Sequence, residues 1–161
     1  MDITVKLIIE KPIAEVWEVM GNQFGHAHLW SSNFKTSQPA GEVRFDGLSY
    51  SRRDTTTERG ETTQELTAFD PATHSLTYVI TKGAPEIAKH AGATWSLEAK
   101  GMESTELSMA FQMEPKMPLD EAMEAKISMG LTASVNELAG ELKHYLEEGK
   151  AQTTAQQNGR S

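Results

Sequence analysis

The sequence predicts an α+β fold, a helix-grip in which a bent antiparallel sheet wraps around a long C-terminal helix and two short helices follow the first strand. Three observations carry that expectation. The last periodic run, residues 119–147, sets Leu119, Met123, Ile127, Leu131, Leu138, Leu142 and Tyr145 on one stripe of an α-helix. Residues 33–114 alternate polar and apolar side chains in short runs separated by turn residues, the pattern of sequential antiparallel strands with one covered face. The long helix is the one element large enough to cover that face.

Each element has its own signal. Ile3, Val5, Leu7 and Ile9 alternate with polar neighbours over residues 2–10, a strand that Lys11-Pro12 ends. Pro12 suits the first position of a short helix carrying Ile13, Val16, Trp17 and Met20, which Gly21 closes. A weaker helical pattern covers residues 24–30. Strands are then expected at 33–38 and 42–46, the latter with Val43 and Phe45 inward, followed by a polar hairpin over 47–60 with its tip near Arg59-Gly60. Further strands are expected at 61–69, 75–81, 87–99 and 105–114, with firm turns at Asp70-Pro71-Ala72-Thr73 and Lys100-Gly101.

The C-terminal helix carries its own end signals. Pro118 fits its first turn, Asp120 and Glu121 complement the positive end of its dipole, and Gly149 stops it. Gly130 and Ser134 interrupt the apolar stripe at its centre, which leaves room for either a close-packed strand or a ligand cavity beneath. Residues 1–149 are therefore read as one domain and 150–161, without a large apolar residue, as a disordered tail.

Composition narrows the function classes. With 161 residues and a net charge of −8, the chain repels nucleic acid and anionic membrane surfaces, and neither is an expected partner. It has no cysteine, hence no disulfide and no thiol chemistry. The first ten residues lack the zones of a signal peptide and no run is long enough for a membrane span, so a cytoplasmic protein, monomeric or homodimeric, is expected. His26 and His28 have no third ligand at a recognisable spacing, and the nucleotide, dinucleotide and nucleophile-elbow motifs are absent, so neither metal nor cofactor is expected.

The residues Pro12-Ile13-Ala14-Glu15-Val16-Trp17, Gly41-Glu42-Val43-Arg44, Glu65-Leu66-Thr67-Ala68-Phe69-Asp70, Leu76-Thr77-Tyr78 and Gly130-Leu131 resemble, in that order, the START/Bet v 1-like superfamily, closest to its polyketide cyclase/dehydrase and lipid-transport branch. The resemblance implies a cavity beneath the long helix that takes lipids, hormones or polyketides, and in some members a cyclisation or dehydration there.

On that reading Trp30, Tyr78, Ile80, Trp95, Met109 and Phe111 wall the cavity, and Met123, Ile127, Gly130 and Leu131 roof it. The clustered methionines suit a surface that adapts to varied apolar ligands. Glu65 matches an acidic pocket position in similar proteins and shares strand parity with Phe69, so it is a candidate acid or base; an ion pair with Arg44 or Arg52 is the alternative. His90 is the second candidate base. Alternation through Ala91, Ala93, Trp95 and Leu97 turns it outward, whereas a bulge at Gly92 brings it in. Tyr78 or Arg44 would hold a developing enolate. The sequence thus leaves open a binder of a small, mostly apolar molecule, a cofactor-free cyclase or dehydratase, and a ligand-free interaction protein that recognises a partner through the 47–60 hairpin.

Overall fold

In the structure, a computed structural model that describes residues 1–150, the first alternating run forms strand β1 (Asp2–Ile9) with Ile3, Val5 and Ile9 buried. Pro12 then leads into helix α1 (Ile13–Trp17), which continues as one wider turn through Asn22 and is followed by a 3-10 helix, Phe24–Leu29. These are the two short helices expected after β1. The expected tail lies, apart from Lys150, outside the described residues.

Six strands follow: β2 (Thr36–Ala40), β3 (Arg52–Thr57), β4 (Gly60–Asp70), β5 (Ser75–Lys82), β6 (Ala88–Gly101) and β7 (Ser104–Pro115). Every neighbouring pair is antiparallel, and the order across the open sheet is β1-β7-β6-β5-β4-β3-β2. The β3–β4 hairpin closes at Thr57↔Gly60, beside the expected tip.

One expected strand does not form. Residues 42–46 leave the sheet in a loop that keeps a single bridge, Phe45↔Leu48, and Val43 and Arg44 are exposed. The reason is register: β2 takes β3 as its antiparallel partner, from Thr36↔Thr56 to Ala40↔Arg52, in place of 42–46. The second half of the supposed free hairpin is therefore sheet interior, with Ser51, Arg53 and Thr55 buried.

Helix α2 (Glu121–Glu148) starts two residues later than the apolar stripe suggested because the Asp120 carboxylate caps it, accepting from the Met123 N–H at 2.8 Å. Gly149 ends it in the left-handed conformation at φ 77°, its N–H donating to the Tyr145 carbonyl at 2.9 Å. Only the C-terminal half docks fully: Val135, Ala139, Glu141 and Leu142 are buried, against β1 and β7, whereas residues 121–126 are all exposed. At 1.5 Å per residue the helix is roughly 42 Å long and outreaches its apolar floor. Met123, 49% exposed, and Gly130 therefore do not roof the core, and Ile127 is only half-buried. Met117 and Met129 are also exposed. Among the described residues, no helix is long and apolar enough to cross a membrane.

Gly130 faces solvent, and a Cβ built there meets nothing within 4 Å. Gly130→Ala is accordingly expected to stabilise the fold by about 0.5–1 kcal/mol, the helix-propensity difference free of any clash. Urea unfolding checks this; a lower midpoint would mean that the overhanging half packs on something.

Candidate functional site

Cross-strand register assembles the floor of a cavity. Tyr78 sits opposite Ala93, Ala93 opposite Phe111, Trp95 opposite Met109, and Gln64 opposite Ile80. All seven point to the concave face because positions two apart on a strand share a face. The roof is Leu131, Ser134, Val135 and Leu138, an i, i+3, i+4, i+7 stripe of α2. Together they enclose about 170 Å³, lined mainly by carbon. The space exists because Ala93 on the floor and Ser134 on the roof are both short. The interruption seen at Ser134 is thus the cavity, whereas Gly130 lies outside it.

The cavity shares Ser134 and Leu138 with a wider vestibule of about 480 Å³. Asn33 and Phe34, the hairpin tip Thr57-Glu58-Arg59 and Glu137 line this vestibule, so the mouth lies between the β3–β4 hairpin, the loop before β2 and α2.

Behind one end of the floor stands Arg53, which is 2% exposed. Its Nε donates to Gln64 Oε1 at 2.7 Å and its Nη1 to the Phe24 carbonyl at 3.0 Å. The guanidinium carbon lies 4.0 Å from the Phe24 ring centre and 5.3 Å from that of Tyr78. Arg53 joins none of the ion pairs among the described residues. Burial lowers its pKa, but a guanidinium remains charged at neutral pH. Burial pushes the Tyr78 hydroxyl above the ordinary tyrosine range against the pull of nearby Arg53 and Trp95, so it stays protonated. The Trp95 indole N–H approaches that hydroxyl without forming a hydrogen bond of regular geometry and is left buried and unpartnered.

The sequence-derived site residues divide accordingly. Tyr78, Ile80, Trp95, Met109, Phe111 and Leu131 line the cavity. Trp30 does not; it is fully buried behind Trp95, edge to face at 5.9 Å. Ile127 packs against a small satellite cluster of Ala88, Ala91 and Met113, and of the clustered methionines only Met109 faces the cavity.

Neither candidate base points inward. Glu65 pairs with Arg44 at 3.6 Å on the outer face, because Thr67 is an extra residue between Leu66↔Tyr78 and Ala68↔Thr77. This bulge lets Leu66 and Phe69 both face in, so the parity counted back from Phe69 fails. His90 is exposed because the register runs unbroken from His90↔Glu114 through Gly92↔Gln112 to Trp95↔Met109, so alternation turns it outward; the bulge in β6 falls at Lys89, between Ala88↔Pro115 and His90↔Glu114, and not at Gly92. Gly92 serves close approach instead: a Cβ there would lie 2.6 Å from the Tyr78 carbonyl oxygen.

A larger hollow of about 580 Å³ on the outer face is polar strand surface. Its charges are already matched, Lys82 with Glu61 at 2.8 Å, Arg52 with Asp54 at 3.3 Å and Glu65 with Arg44. No group of residues suited to hold a metal occurs among the described residues.

Sequence reasoning missed Gln64, Val135 and Arg53, and read Ala93 as facing inward without assigning it to the cavity. Gln64 was legible through its parity with Leu66, two residues on. Arg53 was not, since a basic residue in a polar hairpin gives no sign of facing inward.

The chain matches the family described as polyketide cyclase / dehydrase and lipid transport over residues 1–147. Among curated proteins none matches it. A START superfamily protein from Mycobacterium smegmatis superposes with TM-score 0.72 at 14% identity, covering 91% of this chain and 97% of that one. The Zhui aromatase/cyclase from Streptomyces sp. R1128 gives 0.62 at 19% identity, covering 91% and 95%. Truncated norcoclaurine synthase from Thalictrum flavum gives 0.68 at 15%, covering 91% and 92%. At these identities the likeness establishes the fold.

Proposed function

Since this chain belongs to the polyketide cyclase / dehydrase and lipid transport family of the START/Bet v 1 superfamily, we propose that it binds a small, mostly apolar molecule between its sheet and α2. The observation that carries this reading is the carbon-lined cavity with hydrogen-bond donors gathered at one end. Pockets for drug-sized ligands run to about 300–1,000 Å³, and a dry cavity of about 150 Å³ takes benzene. A space of about 170 Å³ therefore suits one ring or a short acyl chain, with any remainder of the ligand in the vestibule.

Binding is favoured over catalysis because no carboxylate or imidazole lines the cavity. The polar side chains there are Gln64, Tyr78, Trp95 and Ser134, which can hold a carbonyl or an anion but offer no base of near-neutral pKa. A ligand-free recognition role for the 47–60 hairpin is less well supported, since β3 within it is paired on both sides and turns Arg53 and Thr55 into the interior.

Thermal shift with toluene, indole and naphthalene tests the reading. A ligand at 100 times its Kd is expected to add about 2.7 kcal/mol and raise Tm by roughly 5–10 °C. Ala93→Phe, which places a ring in the space between Tyr78 and Phe111, is expected to abolish the shift. If no compound moves the wild-type Tm, or Ala93→Phe responds equally, the cavity is not the binding site.

A further inference from the structure

Building on the binding reading above, we propose that the cavity's occupant is an anion, a carboxylate carried on a body about the size of one aromatic ring. The first argument is the direction of the hydrogen bonds. A guanidinium can only donate, so Gln64 must turn its oxygen to Arg53, and its NH₂ group, which has no partner among the described residues, remains to donate. Trp95 contributes a buried indole N–H that lies near the Tyr78 hydroxyl without a hydrogen bond of regular geometry. Tyr78 keeps its proton. Ser134 on the roof directs its hydroxyl proton to the Gly130 carbonyl at 3.1 Å and adds no donor to the cavity. The end beside Arg53 therefore offers donors, and the complementary group is one that accepts several bonds and donates none. An ionised carboxylate has two such oxygens.

The second argument is charge. Arg53 is held in the interior by two neutral acceptors, the neighbouring Tyr78 hydroxyl and aromatic faces, with no acid in contact among the described residues. Buried charges are ordinarily paired, because removal from water costs more than neutral hydrogen bonds return. A neutral ketone or amide would satisfy Gln64 and Trp95 and leave the charge uncompensated, whereas a carboxylate does both. Arg53 lies one layer behind the lining, so it acts through Gln64 and Tyr78 as a positioning residue and as a source of field.

Phenylacetate and phenylacetamide, alike in shape and different in charge, separate these terms. Calorimetry on the full chain is expected to find phenylacetate at least about 10-fold tighter, a difference of about 1.4 kcal/mol. Phenylacetate is also expected to move one tryptophan indole N–H resonance downfield, the one missing from Trp95→Phe. Arg53→Met risks unfolding, so the deciding variant is Gln64→Glu. This isosteric change places a carboxylate against Arg53, supplies the counter-ion from within and removes a donor. It is expected to weaken phenylacetate by about 100-fold or more while phenylacetamide changes by less than about threefold, since charge in a buried site outweighs one neutral hydrogen bond. Equal affinities of the wild-type protein for both probes would overturn the assignment of an anion and leave the binding of apolar molecules standing. Unchanged phenylacetate affinity in Gln64→Glu would also overturn it. If neither probe binds and the apolar compounds also leave Tm unmoved, the binding reading falls together with the anion.

Discussion

Glu141→Ala is expected to destabilise the protein by about 3–4 kcal/mol and to lower Tm by roughly 10 °C, a large effect for one residue on the surface-spanning helix. Glu141 is fully buried, and its carboxylate accepts from Ser31 Oγ at 2.8 Å, the Ser32 N–H at 2.8 Å, Ser32 Oγ at 3.0 Å and Asn33 Nδ2 at 2.7 Å. Truncation strands these donors, and the loop they belong to forms one side of the vestibule. Glu141→Gln keeps one accepting oxygen and sets an NH₂ group against the others, so an intermediate loss is expected. Urea midpoints for the two variants check the order. A loss below about 1 kcal/mol for the alanine variant would show that water replaces the carboxylate.

Trp30→Ala is expected to cost about 3–5 kcal/mol, the range for deleting a fully buried large aromatic side chain. Trp30 is 2% exposed and stands edge to face against Trp95 at 5.9 Å. Its loss opens a void behind a cavity wall, so Trp95 gains freedom to tilt and the donor end loses its fixed geometry. Ligand affinity should therefore fall with stability, although Trp30 does not line the cavity. Trp30→Phe, which keeps a ring in place, is expected to lose markedly less. Chemical unfolding monitored by the remaining tryptophans measures the first quantity and calorimetry the second; a stable Trp30→Ala protein with intact binding would show that this layer repacks.

The fold was legible because its signals are local. Alternation in β1 named the buried residues Ile3, Val5 and Ile9, and Asp120 and Gly149 marked the ends of α2. The cavity floor was legible where a strand runs without a bulge, as from Ala91 through Ala93 to Trp95. Glu65 was misplaced because one extra residue, Thr67, inverts the side chains beyond it, whereas His90 follows the unbroken alternation of Ala91, Ala93 and Trp95 and the bulge that would have turned it inward at Gly92 is not there.

By itself, then, the sequence determined the order of elements, the family, the amphipathic face of α2 and the short residue Ser134 that leaves space beneath it. Those properties have periods of two or 3.6 residues and are written in consecutive side chains. Tertiary structure alone decided three others: which end of α2 docks, which strand partners β2, and that Arg53 lies buried behind Gln64 and Tyr78. Each depends on residues far apart in the chain meeting in one register, and a bulge or a buried cation is held by its partners, whose positions no local pattern encodes.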